Sequence, residues 1–369
     1  MAITNYNGSL RSNLIYSAIF NMIISQRVFG DNIKGTNSKY MEEAREDLGL
    51  YGDTALFYSV DVLKSRDWLN DAEAPKLLEL ERPEPPKCQS ITIDTFRIIK
   101  VTLDNYLSKQ AWSTEGAFSQ FNSVVEAMLS DTKRIYDSTL YNTYVCTHET
   151  DIGKQEIEIT LPKAPAASAT EQEIEAYNRV SAQMIAKKIA DTFDELEDPN
   201  RDYNDYGYMR SYDAGDFRVI WNSEYLNKIT KIDLPTILNN KDIYGNLLTD
   251  KLPAKYFGTI NASIGTTSAT NKTVRSLIET DYGSVHVFPG ELLPGNTAYQ
   301  ANTTYTEDAT IACKIYKKGA VPYMSAFSVA TSFFNPQSLT DTRMLIFGHN
   351  TLEQLHNMPF ITVRAKNAV

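Results

Sequence analysis

Basic residues, histidine, cysteine and long apolar runs are all scarce in this chain of 369 residues, and each scarcity removes a class of function. Lys and Arg number 36 against 46 Asp and Glu, a formal net charge of −10. Coating of DNA through counterion release needs clustered cations facing phosphates. Neither the total nor any long basic run provides them, and cations mix with aromatics only in short groups such as Lys314, Tyr316, Lys317 and Lys318. The three cysteines, Cys88, Cys146 and Cys313, are odd in number and far apart. They form no disulfide framework and read as buried free thiols in a reducing compartment. No stretch reaches the roughly 18 uninterrupted apolar residues of a membrane-spanning helix. The opening MAITNYNGSLRSN lacks the charged start and apolar run of a secretory signal, so a soluble, unprocessed chain without membrane contact is expected.

Catalytic signatures are equally sparse. The chain contains no G-x-S-x-G, H-E-x-x-H, GxGxxG or G-x-x-x-x-G-K-[ST] pattern. His148, His286, His349 and His356 are scattered and read as hydrogen-bonded structural residues. Cys146 and His148 are the nearest candidate zinc pair, with no second pair to complete a site. Asp198, Asn200 and Asp202 match the first three ligand spacings of an EF-hand loop, but the sixth and twelfth positions are Tyr203 and Met209 where Gly and Glu are needed. Carboxylate pairs at glycosidase spacing cannot be assigned from sequence. No cofactor, metal or catalytic residue is expected.

What is present is ordinary globular material, 42% hydrophobic and 22% charged. Its length exceeds the size at which a single core stops growing, about 250 to 300 residues, and predicts two interdependent subdomains. Apolar residues at three- and four-residue steps predict an amphipathic helix over residues 10–24, and a shorter helix is predicted over 41–48. Residues 54–63 and 89–107 are rich in β-branched and aromatic types, and Ile91, Ile93 and Thr95 alternate with Thr92, Asp94 and Phe96. Both read as strands of a hairpin. Between them Pro75, Pro83, Pro85 and Pro86 exclude regular pairing, and residues 64–87 carry five bases and six acids, which makes a charged tip suited to a neighbouring subunit.

A helix of about 28 residues, near 42 Å, is predicted after Trp112, Ser113 and Thr114, with Phe118, Phe121, Val125, Met128 and Tyr136 on its apolar face. A strand at 154–161 follows. Ser168 with Glu171, or Thr170 with Glu173, offers a capping box for a helix through about Leu196, whose buried face is read as Ile174, Tyr177, Met184, Ile185, Ile189 and Phe193. Residues 191–216 then hold nine carboxylates and four tyrosines with only Arg201 and Arg210 as bases, a solvated acidic surface. Further strands are predicted at 216–222, 256–264, 284–288, 310–317 and 360–365, with helical pieces at 223–240 and 274–280. The Gly- and Thr-rich residues 258–273 read as loop or edge strand. The fold class is α+β with mixed sheets.

This order of arm, hairpin, long helix and mixed sheet resembles the major capsid proteins of tailed bacteriophages, the Hong Kong 97-type shell fold, and most of all those of small short-tailed phages. FRIIKVTLDNYLSKQAWSTEGAFSQFNSVVEAMLSDTKRIYDSTLYNTYV, residues 96–145, is similar to the family's passage from extended arm into spine helix. YMRSYDAGDFRVIWNSEYLNKITKIDLPTILNN, residues 208–240, is similar to the strand and helix that enter the axial domain, and CKIYKKGAVPYMSAFSVATSFFNP and PFITVRA to the returning strands.

The resemblance implies an N-terminal arm at 1–53, an extended hairpin arm at 54–110, a peripheral domain with the spine helix at 111–210, a mainly axial domain at 211–312 and shared returning strands at 313–369. It implies a non-enzymatic protein that assembles with itself in hexamers and pentamers into an icosahedral head shell. Portal and scaffolding proteins are the implied partners, and double-stranded DNA is enclosed without sequence-specific binding. The implied location is the virion, after assembly in the bacterial host cytoplasm. Lys64, Arg66, Trp68, Arg82 and Lys87 are the candidate contacts between subunits. Some members crosslink by a Lys–Asn isopeptide bond, but no pattern singles out Lys64, Lys76 or Lys87. A nanocompartment shell, a tail protein of related fold and a carboxylate-based glycan-acting enzyme are the alternatives.

Overall fold

The computed structural model describes residues 39–47, 54–65, 82–104, 115–149, 155–166, 168–230, 250–262 and 303–368. The predicted helix at 10–24, the strand at 284–288, the helical pieces at 231–240 and 274–280, and the start of the long helix at 112–114 lie outside them. In chain order the elements are α1 (Lys39–Glu43), β1 (Arg45–Asp47), β2 (Thr54–Ser59), β3 (Lys87–Asp104), α2 (Glu115–Cys146), β4 (Thr147–Glu149), β5 (Glu156–Leu161), α3 (Glu171–Glu197), β6 (Phe217–Asn222), α4 (Ser223–Thr230), β7 (Lys251–Leu252), β8 (Gly258–Ala262), β9 (Thr303–Glu307), β10 (Ile311–Lys317), β11 (Tyr323–Asn335), β12 (Thr340–Asn350) and β13 (Phe360–Asn367).

The body is a five-stranded sheet in the order β5-β13-β10-β6-β7, apolar on both faces. On one face Ile157, Val219, Trp221, Cys313, Ile315, Ile361 and Val363 pack with Ile185, Ile189, Phe193 and Leu196 of α3. On the other, Ile220, Tyr316 and Phe360 pack with Tyr136, Leu140, Tyr141 and Val145 from the C-terminal half of α2. Alternate residues of each strand therefore serve different helices, which is why β10 is buried at nearly every position. Lys314 lies within this layer, its Nζ 2.6 Å from Thr362 Oγ1 and 4.1 Å from the Phe360 ring centre. With Tyr316 also buried, the short cationic group read in the sequence does not form a surface patch.

Helix α3 begins as predicted from the second capping box. Thr170 Oγ1 accepts from the Glu173 amide while the Glu173 carboxylate accepts from the Thr170 amide. Its buried face is narrower than predicted, since Ile174 and Met184 are exposed. Because α3 and β5 share one core with β6, β10 and β13, the expected domain boundary at 210/211 crosses a continuous apolar cluster.

The second five-stranded sheet, β1-β11-β12-β3-β2, carries the hairpin. Strand β11 lies within the stretch that resembles returning strands, whereas its partner β12 carried no strand expectation from the sequence. Strand β12 pairs with β3 from Thr340↔Asp104 to Asn350↔Ile93, so the two hairpins share one surface. The predicted helix at 41–48 is shorter, because Arg45, Glu46 and Asp47 extend to pair in parallel with Tyr323, Met324 and Ser325. A sheet edge that offers three backbone partners outweighs the helix propensity of so short a segment.

Helix α2 fastens the two sheets together through buried polar contacts. His349 Nδ1 lies 2.9 Å from the Asn350 carbonyl, which can only accept, so Nδ1 carries the proton and Nε2 accepts from the Tyr136 hydroxyl at 3.0 Å. Beside it the Tyr323 hydroxyl donates to Asp137, which also pairs with Lys133 at 2.6 Å. A third sheet, β4-β8-β9, has β8 as its middle strand, within the strand expected at 256–264, so of the two readings of residues 258–262 the loop or edge is the one not found. Cys146 and Cys313 are buried, and burial pushes both thiols up, whereas Cys88 is exposed, contrary to the sequence reading.

Replacement of Phe193, which packs edge-on against Phe217 at 5.6 Å, should measure the body core. Phe193→Ala is expected to cost about 3–5 kcal/mol in chemical denaturation. Thr170→Ala, which removes only the helix cap, is expected to cost about 1 kcal/mol by the same measurement.

Candidate functional site

The hairpin sheet has one face on the protein and one in solvent. Ala55, Phe57, Ile91 and Ile93 face inward onto Met324, Leu355 and Met358. The opposite face of β2 exposes Leu56 and Tyr58, and the non-strand segment after it exposes Val60, Val62 and Leu63, the last at 80%. The same face continues across the sheet through Ile98, paired with Ile346, which pairs in turn with the half-exposed Val329, and reaches the exposed Phe333. Phe96 lies over Gly348, where an added Cβ would sit 2.7 Å from its ring, so the glycine makes room for the aromatic. Singly exposed apolar residues are ordinary, but a row of this length on one sheet face marks an interaction surface.

The end of the β2–β3 pairing next to the connecting segment is held by a compact loop, residues 200–210. Asn200 and Arg210 exchange backbone hydrogen bonds of 3.0 and 2.9 Å, and the Asn204 side chain bonds both the amide and the carbonyl of Tyr208. Gly207 supplies the left-handed turn, with φ +66°. From this loop Arg201 pairs with Asp61, and the Met209 amide donates to the same carboxylate at 2.9 Å. The Arg201 guanidinium, then the Met209 amide, hold the Asp61 carboxyl down to about 2. Arg210 donates to Ser59 Oγ at 3.1 Å and to the Val60 carbonyl at 2.6 Å. Lys87 Nζ lies 4.7 Å and 5.1 Å from the ring centres of Tyr206 and Tyr208.

Asp205 fixes the loop to the body by accepting from His356 Nδ1 at 2.7 Å, Gln155 at 2.9 Å and Gln354 at 3.1 Å. Burial opposes ionisation of Asp205, but the hydrogen bonds from His356, Gln155 and Gln354 outweigh it and hold its carboxyl below the usual range. The bond to Asp205 raises the His356 imidazole despite partial burial.

Of the residues expected at subunit contacts, Lys64 and Arg82 are exposed beside the hairpin, and Lys87 is exposed but engaged with its own subunit's tyrosines. Arg66 and Trp68 lie outside the described residues. The clamp of Asp61, Arg201, Arg210, Tyr206 and Tyr208 is not legible in the sequence, where Asp61 reads as part of a strand and the others as part of an acidic surface. Their single local signal is a glycine set among turn-forming Asn and Asp residues. Among the described residues no three His, Cys, Asp or Glu side chains come together as a metal site, and no helix is long and apolar enough to cross a membrane.

The sequence profile of the Phi29-like phage major capsid protein family matches residues 7–343. The chain belongs to that family. As a phage major capsid protein it is a shell-forming structural component of the virion head. Its α+β fold is similar to the capsid structure of Staphylococcus phage Andhra, at 10% identity and a TM-score of 0.59 over 87% of this chain and 83% of that one. A structure of native bacteriophage P68, described by its head fibre and inner core protein gp22, is similar at 12% identity and a TM-score of 0.60, over 88% and 84% of the two chains. These likenesses agree with the Hong Kong 97-type fold of the capsid protein. No curated protein sequence matches the chain.

The contact between Asp205 and His356 gives the capsid protein a defined pH response. His356 titrates above its usual 6.5 in the folded chain, so its stabilisation is full below 6.5 and is lost as pH rises through the raised value. Asp205, held below 3.8, stabilises above that value and loses its contribution as pH falls through the lowered one. The difference in melting temperature between wild type and His356→Gln is therefore expected to be largest between pH 3.8 and 6.5 and to shrink at higher pH. Thermal melts from acid to alkaline pH check this, and a difference that grows with alkalinity would contradict it.

Proposed function

We propose that this capsid protein builds an icosahedral head shell of hexamers and pentamers by laying its hairpin arm, residues 54–104, on a neighbouring copy. The carrying observation is the solvent-facing row Leu56, Tyr58, Val60, Val62 and Leu63, on an arm whose inner face is already used within the subunit. A two-stranded projection cannot bury both faces by itself, and a second copy supplies the missing layer. Each such contact is modest, and closure of the shell makes many of them act together. Lys64 and Arg82 flank the row and are assigned to the rim of that contact.

The shell is proposed to enclose double-stranded DNA without sequence-specific binding, consistent with the net charge of −10. Portal and scaffolding proteins are its proposed partners during assembly in the host cytoplasm, and the chain acts without catalysis. In domain terms, α2 and the hairpin sheet are assigned to the peripheral part, and the sheet of β5, β6, β10 and β13 with α3 to the axial part.

Leu56→Asp and Tyr58→Asp place a charge on the docking row without touching the core. Each is expected to leave the subunit's melting temperature unchanged and to raise the concentration needed for assembly by about tenfold or more, equivalent to about 1.4 kcal/mol per contact. Light scattering with negative-stain microscopy reads the result. Normal particles at wild-type concentration in both variants would refute arm docking through this face.

A further inference from the structure

We propose that the outer edge of β11 pairs with the same edge of a second copy, antiparallel, across a two-fold axis at Thr331. Strand β11 is joined to β12 as far as Asn335, but on its other side β1 reaches only Tyr323, Met324 and Ser325. From Ser328 to Asn335 that outer side has no strand partner among the described residues. Every side chain from Ser328 to Phe334 is exposed, on both faces of the sheet, with Phe333 at 61%. A row of unpaired amides and carbonyls of this length is a template for another strand.

Open edges are ordinarily blunted by charge, proline or a bulge. The outer side of β3 beyond its pairing with β2 carries Arg97, Lys100 and Asp104. The β11 edge has no such device. Residues 328–334 read SVATSFF, without charge, proline or glycine, and their register with β12 runs unbroken from Ser328 to Asn335. A strand rich in β-branched and aromatic residues and free of charge is suited to be paired on both sides.

The order of side chains selects the partner and the register. Val329 shares a face with Ile346 and Ile98, and by alternation Thr331 and Phe333 lie on that face while Ala330, Ser332 and Phe334 lie on the other. A two-fold axis normal to the sheet keeps each face on its own side, so a residue can meet only residues of its own face. Centred on Thr331, the axis sets Val329 opposite Phe333 on both sides, Thr331 opposite itself, Ala330 opposite Ser332 and Ser328 opposite Phe334. Aromatic with β-branched and Thr with Thr are pairs that stabilise antiparallel strands. An axis at Ser332 would set Val329 opposite Asn335 and lose both. The contact uses one patch on both copies and so closes on itself, as suits a chain whose family forms shells. It uses the sheet edge and not the face assigned to arm docking, so either can fail alone.

The test uses full-length chain in a Cys88→Ser background, oxidised with glutathione disulfide at concentrations where the wild type assembles. Cys146 and Cys313 are buried and do not compete. Opposed residues in antiparallel strands have Cα atoms about 4.5 or 5.5 Å apart, within disulfide reach. Thr331→Cys is expected to form a covalent dimer on non-reducing gels, at least about fivefold more than Val329→Cys or Phe333→Cys alone, because only the axial residue meets itself. An equal mixture of the latter two is expected to crosslink as Thr331→Cys does. Equal dimer from all three single variants, or none from Thr331→Cys, would overturn the pairing. So would crosslinking of Phe333→Cys to Lys100→Cys, which would place β3 of the second copy on this edge. As an independent measure, Thr331→Lys sets two ammonium groups opposite each other. It is expected to leave the melting temperature of the subunit unchanged and to raise the concentration needed for assembly about tenfold. Assembly at the wild-type concentration would overturn the pairing as well.

Discussion

The burial of one sheet on both faces constrains everything else in this protein. Strands β6, β10 and β13 must be apolar on alternate sides at once, with Val219, Ile315 and Val363 toward α3 and Ile220, Tyr316 and Phe360 toward α2. Two helices are therefore required to cover it. Helix α2 covers it with Leu140, Tyr141 and Val145 of its C-terminal half, and Tyr136 and Asp137 lie where the helix passes under the second sheet. The long helix thus becomes the member that joins body and arm. Burial drives the joint, while the single tautomer demanded of His349 and the Tyr323–Asp137 contact fix its register.

The second sheet solves a different problem. Antiparallel strands can leave one face in water, and here that face carries Leu56, Tyr58, Ile98, Val329 and Phe333 where a solitary protein would place polar groups. A subunit of this kind is incomplete as a monomer. Membership of a shell-forming family gives the missing layer a source, namely more copies of the same chain. The acidic stretch at 191–216 serves in part as internal fastening, because Asp205 and Glu195 accept hydrogen bonds within the subunit and Arg201 and Arg210 bind Asp61 and Val60 just beyond β2. Its charge is therefore not wholly available to a partner.

The α3 cap, the strand at 217–222, the hairpin and the long helix were legible because each rests on a local signal: a capping box, a run of β-branched residues, or apolar residues at a helical period. The β11–β12 hairpin was less so, since TSFFN and TDTRM alternate weakly: they pair with each other, and β12 pairs on its other side with β3, far away in the chain. For the same reason Arg45–Asp47 read as helix until β11 offered an edge. Ile174 and Met184 fit the helical period of α3, yet the sheet beneath it is too narrow to cover them.

Sequence alone determined the class of molecule. Scarce basic charge, the absence of catalytic motifs, a hairpin with a proline-broken charged tip and one very long helix together excluded a DNA-coating protein and resembled a phage shell subunit. Only the tertiary structure decided which residues do the holding. Asp61 meets Arg201 across 140 positions of sequence and Asp205 meets His356 across 151, so no local pattern could pair them. The physical reason is that apolar period and turn chemistry are written over a few residues, whereas an ion pair is specified only when the folded chain brings its two ends together.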